Sequence, residues 1–509
     1  MTETERATGK SCWLASVPER PLAAPLEGDE RAEVAVVGGG IVGVTTALML
    51  QRAGRSVALL EASRVGHGVT GGSTAKITSQ HGLVYHELEQ RHGREAALRY
   101  ARSNQAAREW IERQVDTLGI DCGFERRPAY VYAEGAAQVP SVEREAEAAA
   151  RAGLPATFVR GDGRFPFEVH AAVRFDEQAQ FDPVRYLEGL VADFVAKGGV
   201  IHEATRAIDV ERGSPCTVVT RRGEIRADHV VIATNIPFLD RGGYFARVFP
   251  YRHMAIAATV PAARVPAGMF ISADSPTRSF RTAPWTENER LLIVVGEAFP
   301  TAAADTVQRL MELETFAAER FGTAAPTFRW GNQDYYAADR IPFVGPLVPG
   351  ITRIRVATGF NAWGITAGTA AAMILTDAIA GRDNDWAPLY DSRRIGWRGG
   401  ARSLVRKNVA VAAGWLAERI EQAPPREPGS LRRGEGAIVS VSGKAAAAYR
   451  DQDGEVHLFD ARCTHMGCRL RWNIAESSFD CHCHGSRFDV RGEILNGPAV
   501  RPLRRLDRR

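Results

Sequence analysis

No run of apolar residues in this 509-residue chain reaches the roughly 20 that a membrane-spanning helix needs, so no span is expected. Cysteine is scarce: outside one stretch near the C-terminus only Cys12, Cys122 and Cys216 occur, which excludes the disulfide framework of a small secreted scaffold. The polar start, Met1 to Glu33, has no apolar core suited to a signal peptide and no twin arginine, so a soluble, cytoplasmic protein is expected. A large charge of either sign is also missing, and a net +4 gives no argument for nucleic acid. The exception is the arginine-rich end, Arg501 to Arg509, read as a solvated tail or as a docking patch for an acidic electron-transfer partner. No internal repeat and no Ser/His/Asp or Cys/His hydrolytic arrangement stands out. At this length the chain exceeds one hydrophobic core, and two or three domains are expected.

What is present begins at Val34-Ala-Val-Val37, a buried parallel strand, followed by Gly38-x-Gly40-x-x-Gly43 and an Ala/Leu-rich helix that stops at Gly54. Ser56 to Leu60 reads as the next strand and ends at Glu61. This is a dinucleotide fingerprint in its strand–turn–helix context. Gly38 would allow the tight turn, Gly40 the close approach of a pyrophosphate, and Gly43 the packing of helix on strand, while Glu61 would bind the ribose hydroxyls. The fingerprint does not choose between NAD and FAD.

Further along, Gly66 to Thr78 is a small-residue loop containing Ser73, Thr74 and Lys76, where backbone could follow an extended cofactor. Gly223 to Asn235, with Ala233 and Thr234, resembles the second nucleotide-contact strand of FAD-dependent oxidoreductases of the D-amino acid oxidase/sarcosine oxidase superfamily. The resemblance continues at Asp339 to Pro346 and at Val356 to Gly368, which includes Gly359, Phe360, Gly364 and Thr366. It implies FAD, with a helix over 369–379 aiming its free amides at the flavin pyrimidine.

The remaining cysteines stand in Cys463-Thr-His465-Met-Gly-Cys468 and Cys481-His482-Cys483-His484-Gly-Ser486-Arg-Phe488. A structural zinc site also uses two Cys and two His, but its cysteines usually sit two to four residues apart. This stretch resembles a Rieske [2Fe–2S] domain. The resemblance implies that Cys463 and Cys481 hold one iron, that His465 and His484 hold the other, and that Cys468 and Cys483 form a disulfide bracing the two ligand loops. It also makes Gly497-Pro498-Ala499 the loop that covers the cluster. His482 stands where the family usually has proline, which places a third imidazole nearby. Phe488 stands where high-potential members carry a tyrosine, while Ser486 remains as a donor. A middle or lower potential within about −150 to +300 mV is therefore expected. Together the two likenesses resemble a bacterial family in which a flavin oxidoreductase carries a C-terminal Rieske domain. They share Ser73 to Lys76 with Gln80-His81-Gly82, Gln333-Asp334-Tyr335, and Gly359 to Gly364.

The expected fold is an α/β, Rossmann-type FAD-binding domain with an interleaved α+β substrate domain over 33–390. An N-terminal tail (1–32) precedes it; a helical and proline-rich linker (391–428) and an all-β Rieske domain (429–509) follow. In the substrate domain, Arg94 to Leu118 reads as a surface helix, Phe124 to Tyr132 as a strand, and Asp182 as the N-cap of a helix with Pro183 in its first turn. Candidate catalytic residues are Arg281 as a carboxylate clamp, His253 as a base or charge partner over the flavin, and Lys76 as a cation beside the reduced ring. The bland alternatives are a salt-bridged arginine, a hydrogen-bonded core histidine and a paired lysine.

The expected function is a dehydrogenase that takes hydride from a small amine or amino acid. Its electrons would then pass singly through the cluster to an outside acceptor such as a ferredoxin or cytochrome. FAD accepts two electrons and a Rieske centre one, so the pair would convert hydride chemistry into one-electron flow. A reductase fed through the cluster, a redox sensor and a hydroxy acid substrate remain as alternatives, because fold alone does not decide among them.

Overall fold

Glu30–Val37 and Val57–Leu60 are parallel neighbours at the centre of the first sheet, and the paired parts, Val34 to Val37 and Val57 to Leu60, are runs of Val, Ala and Leu because both faces are covered there. The structure, a computed structural model, describes residues 9–18, 20–161, 165, 167–394, 408–409 and 426–507. Val200–His202 extends this sheet in parallel beyond Val57–Leu60, and Glu224–Ile232 pairs in parallel with the other side of Glu30–Val37. The far edge of Glu224–Ile232 is shared: the hairpin strand Cys216–Val219 runs antiparallel along its start and Ile354–Thr358 parallel along its end.

The helices Ile41–Arg52 and Gly364–Ala380 pack against each other here. The second starts five residues earlier than the expected 369–379. Gly364 and Gly368 read as turn residues, yet a Cβ on Gly368 would lie 3.0 Å from Val42 Cγ2, so this glycine serves close helix packing. The turn itself is Gly359 to Trp363.

A nine-stranded sheet is built from segments interleaved between the nucleotide-binding strands. Its longest pair is Val248–Pro261 against Phe328–Ala337, antiparallel from Val248↔Ala337 to Ala257↔Phe328. The expected strand over 124–132 is broken at Pro128 into Glu125–Arg126 and Ala129–Ala133. Helix Arg94–Leu118 has the expected bounds, and Asp182 caps Pro183–Ala196 by accepting from Val184 N at 2.9 Å and Arg185 N at 3.2 Å.

Two expectations change. The N-terminal segment is not a bare tail: Cys12–Ser16 is a short helix with Cys12 and Trp13 buried on the second sheet, and Trp13 Nε1 donates to Ser73 O at 2.8 Å. Glu30 already belongs to the first strand. The expected helix over 401–421 and most of the proline-rich connector lie outside the described residues.

The C-terminal module is all β. It has three strands, Gly436–Val441, Lys444–Arg450 and Val456–Asp460, and a separate four-stranded sheet from Leu470–Asn473 to Ile494–Asn496. Among the described residues no helix is long and apolar enough to cross a membrane.

Candidate functional site

A cavity of about 1060 Å³ runs from the Gly38–Gly40 turn and Glu61, past Ser73, Thr74 and Lys76, to His253 and Tyr336. That volume is at the upper end for small-molecule sites and suits an extended dinucleotide. Gly38 has φ +110°, and a Cβ there would meet Ala233 O at 2.5 Å, while a Cβ on Gly43 would meet Gly38 O at 1.8 Å. Gly40 differs, because its Cβ would meet only Thr70 Oγ1 at 3.3 Å and would otherwise project into the space a phosphate needs. Both helices that open onto the cavity, Ile41–Arg52 and Gly364–Ala380, lack a side-chain bond from their N-cap residue; in the first, Ile41 N donates instead to Thr70 Oγ1 at 3.1 Å, and both present the positive end of their dipoles to the cavity. Glu61 accepts from Gly39 N at 2.7 Å and Ser63 N at 2.8 Å, and burial pushes its carboxyl up. Ala233, Thr234, Phe360 and Gly364 line the same space. Gly359 and Thr366 do not: Gly359 makes the turn at φ +80°, and Thr366 Oγ1 donates to Thr78 O at 2.8 Å.

At the other end, Lys76 Nζ donates to Phe270 O at 2.9 Å and Ser279 Oγ at 2.6 Å. Burial, and then the Arg281 charge, pull its pKa down to about 7. His253 Nδ1 donates to Gly296 O at 3.0 Å, which leaves Nε2 to accept from the Tyr336 hydroxyl at 2.9 Å; burial pushes the ring toward its neutral form. His253 thus orients Tyr336 rather than carrying charge. Arg281 is a correction. It does not line the cavity; Nη2 donates to Phe181 O at 2.8 Å, Nε donates to Thr74 O, and the guanidinium lies over the Trp13 ring at 4.9 Å. Its role is to hold the cofactor loop and N-terminal helix, through Nε and Nη2 bonded to backbone carbonyls and the guanidinium face stacked over Trp13.

Sequence reasoning missed Asp334 and Asn361 as site-builders. Asn361 and Ala362 both have positive φ, 55° and 67°, which costs free energy unless the surroundings impose it. Asp334 accepts from Ala362 N at 2.6 Å, while Asn361 accepts from Ala337 N at 3.0 Å and donates to Arg340 O at 2.9 Å. Burial raises Asp334 to about 6. The available signal was Gln333-Asp334-Tyr335, whose chemistry has meaning only once the strand meets the turn.

The two ligand loops of the C-terminal module converge. His465 and His484 stand edge to face with centroids 5.0 Å apart. Asp240 accepts from His465 Nε2 at 2.7 Å, which leaves the lone pair on Nδ1. His484 Nδ1 is buried with no hydrogen-bond partner among the described residues, and burial and then His465 lower its pKa to about 4. A neutral imidazole nitrogen with no protein partner among the described residues, in the same two loops as the buried Cys463 and Cys481, belongs to a donor set whose chemistry fits an iron–sulfur group. Ser486 Oγ accepts from Ala499 N at 3.1 Å, so its proton stays available toward the site. His482 Nε2 lies 3.5 Å from Cys483 Sγ. Cys468 and Cys483 are joined as a disulfide across 15 residues. Non-reducing mass spectrometry should find this pair linked and Cys12, Cys122 and Cys216 as thiols; four unlinked loop thiols would contradict it. A loop of this length is worth about 3 kcal/mol.

Residues 33–378 match the model of the FAD dependent oxidoreductase family, and residues 424–507 match that of the Rieske [2Fe–2S] domain. YhfW of Bacillus subtilis (strain 168), named as a Rieske 2Fe-2S iron-sulfur protein, is 34% identical over 498 residues, 97% of each chain. The gamma-glutamylputrescine oxidoreductase of Escherichia coli (strain K12) is 23% identical over 69% of this chain and 84% of its own. Among solved structures, the fold is shared with L-proline dehydrogenase from P. horikoshii, with TM-score 0.58 and 20% identity over 72% of this chain and 98% of that one. It is also shared with L-amino acid deaminase from Proteus vulgaris, with TM-score 0.60 and 15% identity over 74% and 100%.

Proposed function

Since the chain belongs to the FAD dependent oxidoreductase family and ends in a Rieske [2Fe–2S] domain, we propose that it is a dehydrogenase of a small amine or amino acid whose electrons leave singly through its own cluster to an outside carrier. The observation that carries this reading is a shared wall: Ile494 to Gly497, with Ala499 and Val500 of the Rieske module, line the same cavity as Gly38, Glu61 and Lys76. A cluster placed there serves electron exchange with the cavity's occupant. Relatives named for glutamylputrescine, proline and amino acids support a C–N substrate.

FAD, when bound, supplies two-electron acceptance and the cluster one-electron transfer. In this reading Gly38, Gly40, Glu61, Ser73, Thr74, Ala233, Thr234 and Gly364 hold the dinucleotide, and Cys463, Cys481, His465 and His484 hold the cluster. His253 fixes the Tyr336 hydroxyl against the substrate end. Lys76, with its pKa near 7, can take up or release a proton at Nζ at neutral pH. The rate of flavin bleaching by substrate should therefore titrate near pH 7. Lys76→Met should remove that step and slow bleaching by about 100-fold; an unchanged pH profile would leave Lys76 as packing.

The test of the function is an anaerobic titration with a panel of amines, amino acids and hydroxy acids, following the flavin optically and the cluster by electron paramagnetic resonance. One amine or amino acid should bleach the flavin, after which the reduced-cluster signal grows. If only a reduced ferredoxin-type donor fills the cluster and then the flavin, electrons run inward and the proposal fails.

A further inference from the structure

The strand Phe328–Ala337 is a wall with two working faces. Period-two alternation sends Asp334 to the turn at Ala362 and Tyr336 to His253, while Gln333 and Tyr335 reach the Rieske loops. Gln333 Nε2 donates to Gly485 O at 2.7 Å. The Tyr335 hydroxyl, on a ring that also lines the FAD cavity, donates toward His484 O at 3.1 Å and Gly497 O at 3.2 Å. Gly485 has φ +81°, and a Cβ on it would lie 2.6 Å from Gln333 Nε2 and 2.8 Å from the Tyr335 hydroxyl. Only glycine permits this approach.

A second segment makes the same connection. After Glu224–Ile232 the chain lines the cavity at Asn235 and Ile236, then delivers Asp240 to His465 and the Phe245 ring, edge-on, to both imidazoles at 6.3 and 5.3 Å. The His465 side chain is left 6% exposed, and His484 is buried. The histidine edge of the cluster site therefore lies against Asp240 and Phe245 of the FAD-binding half, in the segment that follows the cavity-lining Asn235 and Ile236.

We infer that the Rieske domain stays docked with its cluster loops on the Gln333–Tyr335 wall of the FAD cavity, and that Tyr335 is the positioning residue coupling the two redox sites, so that electrons pass between them without domain movement. Each passage moves one electron, oxidising one centre and reducing the other by one equivalent. No bond forms or breaks at Tyr335, and its proton stays on the hydroxyl. The second electron of a pair crosses after an outside one-electron carrier has emptied the cluster, if electrons run outward, or refilled it, if they run inward. The inference rests on the two cofactors and is independent of substrate and of electron direction.

The experiment is laser-flash reduction of the anaerobic holoenzyme by an exogenous one-electron photoreductant, following re-equilibration of flavin and cluster absorbance. The wild-type rate should not change when glycerol raises the viscosity several-fold. Tyr335→Phe keeps the ring and its packing; it should retain full FAD and iron while the inter-centre rate falls by about tenfold. Gly485→Ala should push the loop off the wall, slow the rate and make it viscosity-dependent. A wild-type rate that falls in proportion to viscosity, or a Tyr335→Phe rate equal to wild type, would overturn the inference. The viscosity series alone decides the docking claim if either variant does not fold.

Discussion

Replacing Glu476 with alanine should lower the unfolding free energy by about 3–5 kcal/mol and make the two halves of the protein melt separately. Arg252 lies in the middle of Val248–Pro261 and is fully buried, where an uncompensated charge costs several kcal/mol. The carboxylate that compensates it comes from the other module: Arg252 Nη2 pairs with Glu476, in the turn between Leu470–Asn473 and Ser478–Cys481. Arg487 shares that carboxylate at 3.1 Å and also holds Asp480 at 2.9 Å. Two guanidiniums and two carboxylates are thus balanced inside the interface. Asn473 supports them with bonds to Glu476 at 2.9 Å and Asp480 at 3.0 Å. Gly331 makes the room, since its Cβ would stand 2.5 Å from Glu476 Oε1. Burial alone would raise Asp480, but Arg487 and then Arg252 outweigh it and hold the carboxyl low. Removing Glu476 leaves two positive charges facing one negative. The measurement is a thermal melt read at flavin and cluster wavelengths together. Wild type should give one transition and Glu476→Ala two. Arg252→Met with Glu476→Leu should recover most of the loss, because apolar groups of similar volume tolerate the site. A loss below about 1 kcal/mol would mean that the network does not lock the modules.

What could be read from the sequence divides along the range of the interactions involved. The nucleotide end was legible because its logic is local: Gly38, Gly43 and Glu61 act within one strand–turn–helix unit, and the Asp182 cap acts on the residues that follow it. The cluster stretch was legible for the same reason, since Cys-x-His and Cys-x-x-His each fit in one loop. Arg281 was not. Its strand, Ser279–Pro284, is buried on both faces, so period-two alternation gives no sign of which face meets the cavity. Which carbonyls claim its guanidinium depends on Thr74 and Phe181, each at least 100 residues away. The interface was equally silent. Asp240, Phe245 and Glu476 have unremarkable neighbours in sequence, and Gln333-Asp334-Tyr335 stands out only as a shared motif; all acquire their roles only when the Rieske module is set against the rest of the chain. The N-terminal segment misled in the opposite direction: its polar, proline-containing run reads as a tail, yet Cys12 and Trp13 pack on the second sheet, Leu26 is buried, and Arg20 and Ala23 bond to Glu203.

Two added methyl groups in the fingerprint should separate folding from cofactor binding. In Gly43→Ala the new Cβ would lie 1.8 Å from the carbonyl oxygen of Gly38, a backbone atom that cannot swing aside. Gly38 cannot retreat either, since it is itself at φ +110° and its Hα side already faces Ala233 O. The helix Ile41–Arg52 must therefore lift from the strand Glu30–Val37, at a cost of about 3 kcal/mol, the upper end for overpacking. In Gly40→Ala the methyl group would meet only Thr70 Oγ1 at 3.3 Å, which a small shift of the threonine relieves. The apo-protein should keep its melting temperature, but the methyl group would stand where the pyrophosphate approaches the helix N-terminus. FAD affinity should then fall by about 100-fold, roughly 2.8 kcal/mol. Both variants should keep the cluster, whose loops pack in their own apolar core around Leu470, Phe479 and Phe488. The measurement is the ratio of bound flavin to iron after reconstitution with excess FAD, together with melts of both apo-proteins. A Gly40→Ala protein that binds FAD as tightly as wild type would show that the pyrophosphate does not sit at this turn. A Gly43→Ala protein with wild-type stability would show that the helix and strand are less closely packed than 1.8 Å requires.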